Sequence, residues 1–234
     1  FGEVAIADHR GTHPSAAELR RLAAEVQLGG LLAGRGGTVL VHVGAGDDRL
    51  ARLREAVEGS DLAPAVLYPT HVNRSRELLD EAAEWTRRGG FVDITVSTTP
   101  EMLERGDIPP ADALRYLLDA GADPARVTLS SDAGGSLPHF VNGELQGLVA
   151  ATPDCLIELL AELYRGDRAL FPTALAAASR NPARALRLEA GVGELREGGP
   201  ADLLLVRPDT GVVESVFAGG RWLLREGECL VSAP

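Results

Sequence analysis

Tyr68-Pro69-Thr70-His71-Val72-Asn73-Arg74 follows the apolar run Ala65-Val66-Leu67 and precedes a helical pattern that begins near Ser75. A histidine and an arginine therefore fall where a strand ends and a helix begins. In a parallel α/β sheet or barrel that rim is where ligands and chemistry are placed. The same grammar recurs along the chain. Thr38-Val39-Leu40-Val41 ends at His42, and Val127-Thr128-Leu129-Ser130-Ser131 ends at Asp132. Val4-Ala5-Ile6-Ala7 has Glu3 before it and Asp8-His9-Arg10 after it. The rest of the chain reads as a scaffold that brings these ends together.

Working outward, strands are expected at 3–7, 38–43, 65–70, 91–95 and 127–131. Ser15 with Glu18 forms a capping-box pattern ahead of Leu19, Leu22, Ala23 and Val26, and Gly29-Gly30 is expected to interrupt that helix. Leu50, Leu53, Ala56 and Val57 give a second amphipathic helix, and Leu78, Leu79, Ala82, Ala83 and Trp85 a third. Val96–Pro110 reads as a long connection. Ala113, Leu114, Leu117 and Leu118 make the next helix, and further helices are expected over Cys155–Tyr164 and Pro172–Leu186, after an insertion that runs to about Pro153. Strand and helix alternate about five times with short loops, the signature of a parallel α/β fold. From Gly191 the pattern changes to β-formers and turn pairs without a long helix, which predicts a small antiparallel β appendage.

Composition narrows the function. The chain has 234 residues, 45% of them apolar, enough for a large core. A net charge of −11 argues against a nucleic-acid partner. No apolar run reaches membrane-span length, so no membrane partner is expected. Cys155 and Cys229 have no framework spacing, and no secretory signal pattern precedes the first strand, so the expected setting is the cytoplasm. All basic residues other than histidine are arginines; the chain has no lysine. It opens at Phe1, inside a strand-like pattern, which reads as a fragment or processed product.

Several residues could carry chemistry. His42 and His71, each closing an apolar strand, suit a Zn²⁺ or similar site with a nearby acid, but two unrelated loop histidines fit the spacing equally. Asp132 could ligate a metal and hold a proton, or could simply cap a turn. Glu3 faces either a barrel interior, where an unpaired carboxylate is costly, or solvent. Arg10 and Arg74 could each clamp a carboxylate with a bidentate fork, and the default alternative for each is a surface ion pair. His139 has no assigned role. Neither a dinucleotide fingerprint nor a P-loop is present.

Taken together, Glu3–Arg10, Leu40–Gly44, Pro69–Arg74, Leu129–Asp132 and Gly135-Ser136-Leu137-Pro138 resemble, in order, the isoaspartyl dipeptidases of the amidohydrolase superfamily. Ser179–Leu186, Gly193-Glu194-Leu195 and Gly199–Leu203 are similar to the superfamily's C-terminal signature. The resemblance covers essentially the whole chain. It implies a (β/α)8 TIM barrel, of which this chain would supply about the last five strand–helix units over 1–188, with 189–234 part of a small β domain. It implies two zinc ions, His42 and His71 as ligands of one, Asp132 as ligand of the other and as acid/base, and Arg10, Arg74 and Ser136 on the dipeptide's carboxylate and amino groups. The implied reaction is hydrolysis of a β-aspartyl peptide bond, and the complete protein is expected to be a homo-oligomer. Two departures stand out. The family's bridging carboxylated lysine falls where this chain has Glu3, which would bridge with a shorter arm, and the family's first-strand His-x-His pair is absent. Alternatives of other kinds are a deacetylase or cyclic-amide hydrolase of the same superfamily, and a non-catalytic remnant or subunit.

Overall fold

The computed structural model describes residues 4–6, 13–141, 144–188, 191–207 and 209–231. The chain alternates strand and helix: β1 (Val4–Ile6), α1 (Ala16–Leu32), β2 (Val39–Val43), α2 (Ala51–Val57), β3 (Leu67–Thr70), α3 (Arg76–Arg87) and β4 (Val92–Thr95). Then come α4 (Pro100–Glu104), α5 (Pro110–Asp119), β5 (Val127–Ser130) and a hairpin of β6 (Ser136–Val141) and β7 (Glu144–Ala150). Helices α6 (Asp154–Gly166), α7 (Phe171–Ala178) and α8 (Arg180–Ala185) lead to β8 (Leu203–Val206), β9 (Val213–Ala218), β10 (Arg221–Arg225) and β11 (Glu228–Cys229).

Helices α1, α3 and α4 start where a side chain satisfies one of their first N–H groups. Ser15 Oγ accepts from Glu18 N while Glu18 Oε2 accepts from Ser15 N at 2.8 Å, the expected capping box. Ser75 Oγ accepts from Leu78 N at 3.1 Å and opens α3, which buries Leu78, Leu79, Ala82, Ala83 and Trp85. These faces pack on the strands to form the larger of two buried apolar clusters, which draws on residues from Ile6 to Ala177.

The fold is mixed α/β, as the alternation predicts. Among the described residues the strands do not close a barrel. β1, β2 and β3 form one parallel sheet and β4 and β5 a second. No backbone ladder joins β3 to β4. Side chains bridge that seam instead: Thr70 Oγ1 donates to Asp93 Oδ2 at 2.7 Å, and Thr95 N donates to Asn73 Oδ1 at 3.0 Å.

Three expectations change. Helix α1 continues through Gly29-Gly30. A Cβ on Gly30 would stand 2.7 Å from Gly37 N, so this glycine admits a neighbouring backbone and does not stop the helix. The long connection after Val96 holds α4, capped by Thr99. The helix predicted over Pro172–Leu186 is two helices, because Ser179 leaves helical geometry at φ −130° and ψ −78°. The expected antiparallel tail is present as the sheet β11-β10-β9-β8.

Candidate active site

Parallel pairing sets the histidines side by side. His42 pairs with Thr70 in register, so His71 lies one residue beyond its partner. The two rings meet with His42 Nδ1 2.8 Å from His71 Nε2. On its other side His71 Nδ1 lies 2.6 Å from Thr95 Oγ1. With Thr95 Oγ1 as acceptor, His71 carries its proton on Nδ1 and its Nε2 lone pair faces His42, whose Nδ1–H donates. Burial, and then the charges of Arg74 and His42, push the His71 pKa down to about 3, so the ring is neutral at pH 7.

Backbone strain marks the same positions. His71 and Asp132 both adopt left-handed backbone, at φ +67° and +52°. Non-glycine residues are uncommon there, and such strain gathers at functional sites. The turn after β5 is tight: Gly135 N donates to Asp132 O, and a Cβ on Gly135 would stand 2.7 Å from Asp132 Oδ2. Only glycine allows the Asp132 carboxylate to fold back over that backbone.

His42, Thr70, Asp93, Ser130 and Asp132 line one cavity of about 560 Å³ on the inner face of the strands. Arg74 Nη1 donates to Val43 O at 2.8 Å, which holds the guanidinium beside the end of β2. Ser136 opens β6 and is exposed. Glu3 and Arg10 lie outside the described residues.

Sequence reasoning missed Asp93, although an acid inside Val92-Asp93-Ile94 on a buried strand is the kind of costly placement that signals a partnered group. Asp93 is 2% exposed. Its Oδ2 accepts from Thr70 Oγ1 and, at 2.6 Å, from Ser130 Oγ, and its Oδ1 accepts from Thr128 Oγ1 at 2.7 Å. Burial raises its pKa; the three hydroxyls counter that rise, and the Asp132 charge adds to it. Asn73 was also missed. It donates to Thr95 O and Ile108 O and so clasps the ends of β3 and β4 and the following loop.

Among the described residues, no three His, Cys, Asp or Glu side chains converge as a ready cation site. The donor set nevertheless fits a divalent metal in part. Two imidazoles, one held neutral and oriented through its far nitrogen by Thr95, approach on adjacent strand ends, the arrangement by which outer-shell partners orient metal ligands. Nitrogens sharing one tetrahedral zinc would stand roughly 3.3–3.4 Å apart. The pair therefore needs to open by only about half an ångström to admit one.

The amidohydrolase family profile matches residues 2–223, so the chain belongs to the amidohydrolase family. Within it the resemblance to isoaspartyl dipeptidases is borne out by solved structures. The β-aspartyl dipeptidase of Fervidobacterium islandicum AW-1, in complex with the β-Asp-Leu dipeptide, superimposes with a TM-score of 0.85 at 31% identity over 99% of this chain and 60% of its own. A second structure of that enzyme gives 0.82 at 28% identity, over 99% of this chain and 58% of its own. The N-acetyl-D-glucosamine-6-phosphate deacetylase of Mycobacterium smegmatis, at 0.57 and 22% identity over 94% of this chain and 57% of its own, shares the fold. The chain thus spans about three fifths of the length of the structures it matches. No helix among the described residues is long and apolar enough to cross a membrane.

Proposed function

We propose that this chain carries the strand ends of a metal-dependent hydrolase that cleaves β-aspartyl dipeptides. The observation that carries this reading is the meeting of His42 and His71 at 2.8 Å on adjacent parallel strand ends. Asp132 on the wall of the cavity that His42 lines adds the acid. The dipeptidase likeness and the Thr-His-Val-Asn-Arg and Gly-Ser-Leu-Pro motifs support the substrate class. On this reading residues 1–188 form the larger part of a (β/α)8 barrel and 189–234 part of a small β domain.

His42 and His71 would hold one zinc ion and Asp132 a second, with Glu3 as a further carboxylate ligand. Bound there, the metal supplies a Lewis acid for the scissile carbonyl and makes water more acidic. Asp132 takes the proton of the attacking water on its carboxylate and returns it to the leaving amine nitrogen as the C–N bond breaks. Arg10 and Arg74 bind the dipeptide's carboxylates through charge-assisted hydrogen bonds, and Ser136 its polar ends.

The test is turnover of β-Asp-Leu with Zn²⁺ by the protein as its gene encodes it, and by its Asp132→Asn form. Losing a general acid/base costs on the order of 10²–10⁴ in rate. Near-native turnover in Asp132→Asn would sink the assignment. Hydrolysis of N-acetylated sugars or cyclic amides in place of β-Asp-Leu would keep a hydrolase and overturn its substrate.

A further inference from the structure

We propose that Asp93 is a positioning residue that fixes His71 and Asp132 relative to each other across the gap between the two parallel sheets; this rests on the function proposed above. Thr70 immediately precedes His71, and Ser130 stands two residues before Asp132. Both hydroxyls donate to the same oxygen, Asp93 Oδ2, at 2.7 and 2.6 Å. The ends of β3 and β5 are thus tied through one atom of the strand between them. On the β5 side a backbone ladder already sets the register, Asp93 opposite Thr128 and Thr95 opposite Ser130. On the β3 side there is no ladder among the described residues. There the position of His71 depends on side-chain bonds across the seam, those of Asp93 and Thr95 on β4 and of Asn73 beyond β3.

Residues two apart on a strand share a face, so Asp93 and Thr95 form a pair of struts. Asp93 holds the residue before His71, and Thr95 Oγ1 holds the His71 ring through Nδ1 at 2.6 Å. The remaining carboxylate oxygen is also occupied: Thr128 Oγ1 donates to Oδ1, and the Tyr68 hydroxyl on β3 donates to Thr128 Oγ1. Three hydroxyl donors on one buried carboxylate form a network that rigidifies when every member is satisfied. Asp93 lines the same cavity as His42 and Asp132. A group that served the core alone would have no need to face it.

The experiment compares Asp93→Ala and Asp93→Asn with the native sequence, in the protein as its gene encodes it. Asn keeps the shape, and hydroxyls can rotate to accept from its amide, so it is the rescuing variant. The first readout needs no turnover: histidine ring ¹⁵N–¹H NMR of the metal-free protein and the visible spectrum of its Co²⁺ form. Asp93→Ala should shift the His71 resonances and weaken Co²⁺ binding about 10–100-fold, the usual cost of losing an outer-shell partner. The second is kinetic: kcat on β-Asp-Leu should fall about 10–100-fold while KM moves less than about threefold, because Arg74 remains in place. Asp93→Asn should recover most of both. If Asp93→Ala does not fold, Thr70→Val removes only the tie between Asp93 and the residue before His71 and should show the same signs at smaller size. Native His71 resonances and native Co²⁺ affinity in a folded Asp93→Ala would overturn the proposal, as would an Asp93→Asn form no better than Asp93→Ala. A native protein that binds Co²⁺ with these shifts but leaves β-Asp-Leu intact would overturn the dipeptidase reading and leave the role of Asp93 standing.

Discussion

At His71 a strained backbone, a buried ring and a depressed pKa coincide, and together they make a pH prediction. The unfolded histidine titrates near 6.5 and the folded one near 3. Between those values the unfolded chain binds a proton that the folded chain does not, so stability rises with pH through that window and is lost as pH falls toward 3. Asp93, whose carboxyl burial holds above its ordinary range, contributes with the opposite sign, so the useful quantity is a difference between variants. With a chelator present, urea midpoints of the native chain should drop between about pH 7 and about pH 4 by more than those of His71→Asn. Asparagine tolerates left-handed backbone and does not titrate there. Equal drops would show that His71 is not the responsible group. Arg74→Met belongs to the same scale: it should cost on the order of 2–5 kcal/mol in kcat/KM for β-Asp-Leu while zinc content stays unchanged. Unchanged kcat/KM would remove Arg74 from the substrate site. His71 and Asp132 stand out in the sequence because each closes an apolar run, and Arg74 because it lies just past one. The left-handed backbone at His71 and Asp132, and the hydroxyls gathered on Asp93, were not, because both arise only when separate strands come together.

At the scale of elements, sequence patterns succeeded where the cause is local. The Ser15–Glu18 box, the Ser75 cap and the apolar spacing of α3 and α5 act within a turn or two of the residues that carry them. They failed at Gly29-Gly30, where a stop signal turned out to be a packing feature, and at β3 and β4, whose missing ladder no local pattern encodes. The two glycines give a paired test with opposite signs. A Cβ on Gly29 meets nothing within 4 Å, so Gly29→Ala should stabilise by about 0.5–1 kcal/mol, the helical preference for alanine. A Cβ on Gly30 would stand 2.7 Å from Gly37 N and 2.9 Å from Gly36 C, both backbone atoms. Gly30→Ala should therefore destabilise despite the same propensity gain. Equal stabilisation by both, in urea titrations, would mean that the helix and the Gly36-Gly37 turn separate easily.

For the whole molecule, the distribution of burial predicts how it comes apart. The two buried apolar clusters draw on strands and helices up to Ala185 and include no residue of β8–β11. β8 is the edge of its sheet, and its four residues are all exposed, Leu204 at 57%. Its contact with the rest runs over an apolar cavity of about 510 Å³ lined by Tyr164 and Phe171 on one side and Leu204 and Leu205 on the other. A sheet with so little buried apolar surface should open at lower denaturant than the core it adjoins. The chain carries one tryptophan in each part: Trp85 is 1% exposed inside α3, and Trp222 is 38% exposed on β10. With Trp222→Phe the emission reports the strand–helix core, and with Trp85→Phe it reports the sheet. Replacing Trp85 removes a fully buried ring, so the first variant is the reference, and the sheet is followed in a native-core background by a fluorine-labelled Trp222. The Trp222 signal should change at lower urea than the Trp85 signal, and trypsin should cut first at exposed Arg196, between the two parts. The hairpin from Ser136 to Ala150 contains no arginine or lysine and cannot compete for that cut. Coincident transitions from both tryptophans would mean that the sheet and the core unfold as one unit, and the division near residue 188 would then be one of pattern alone.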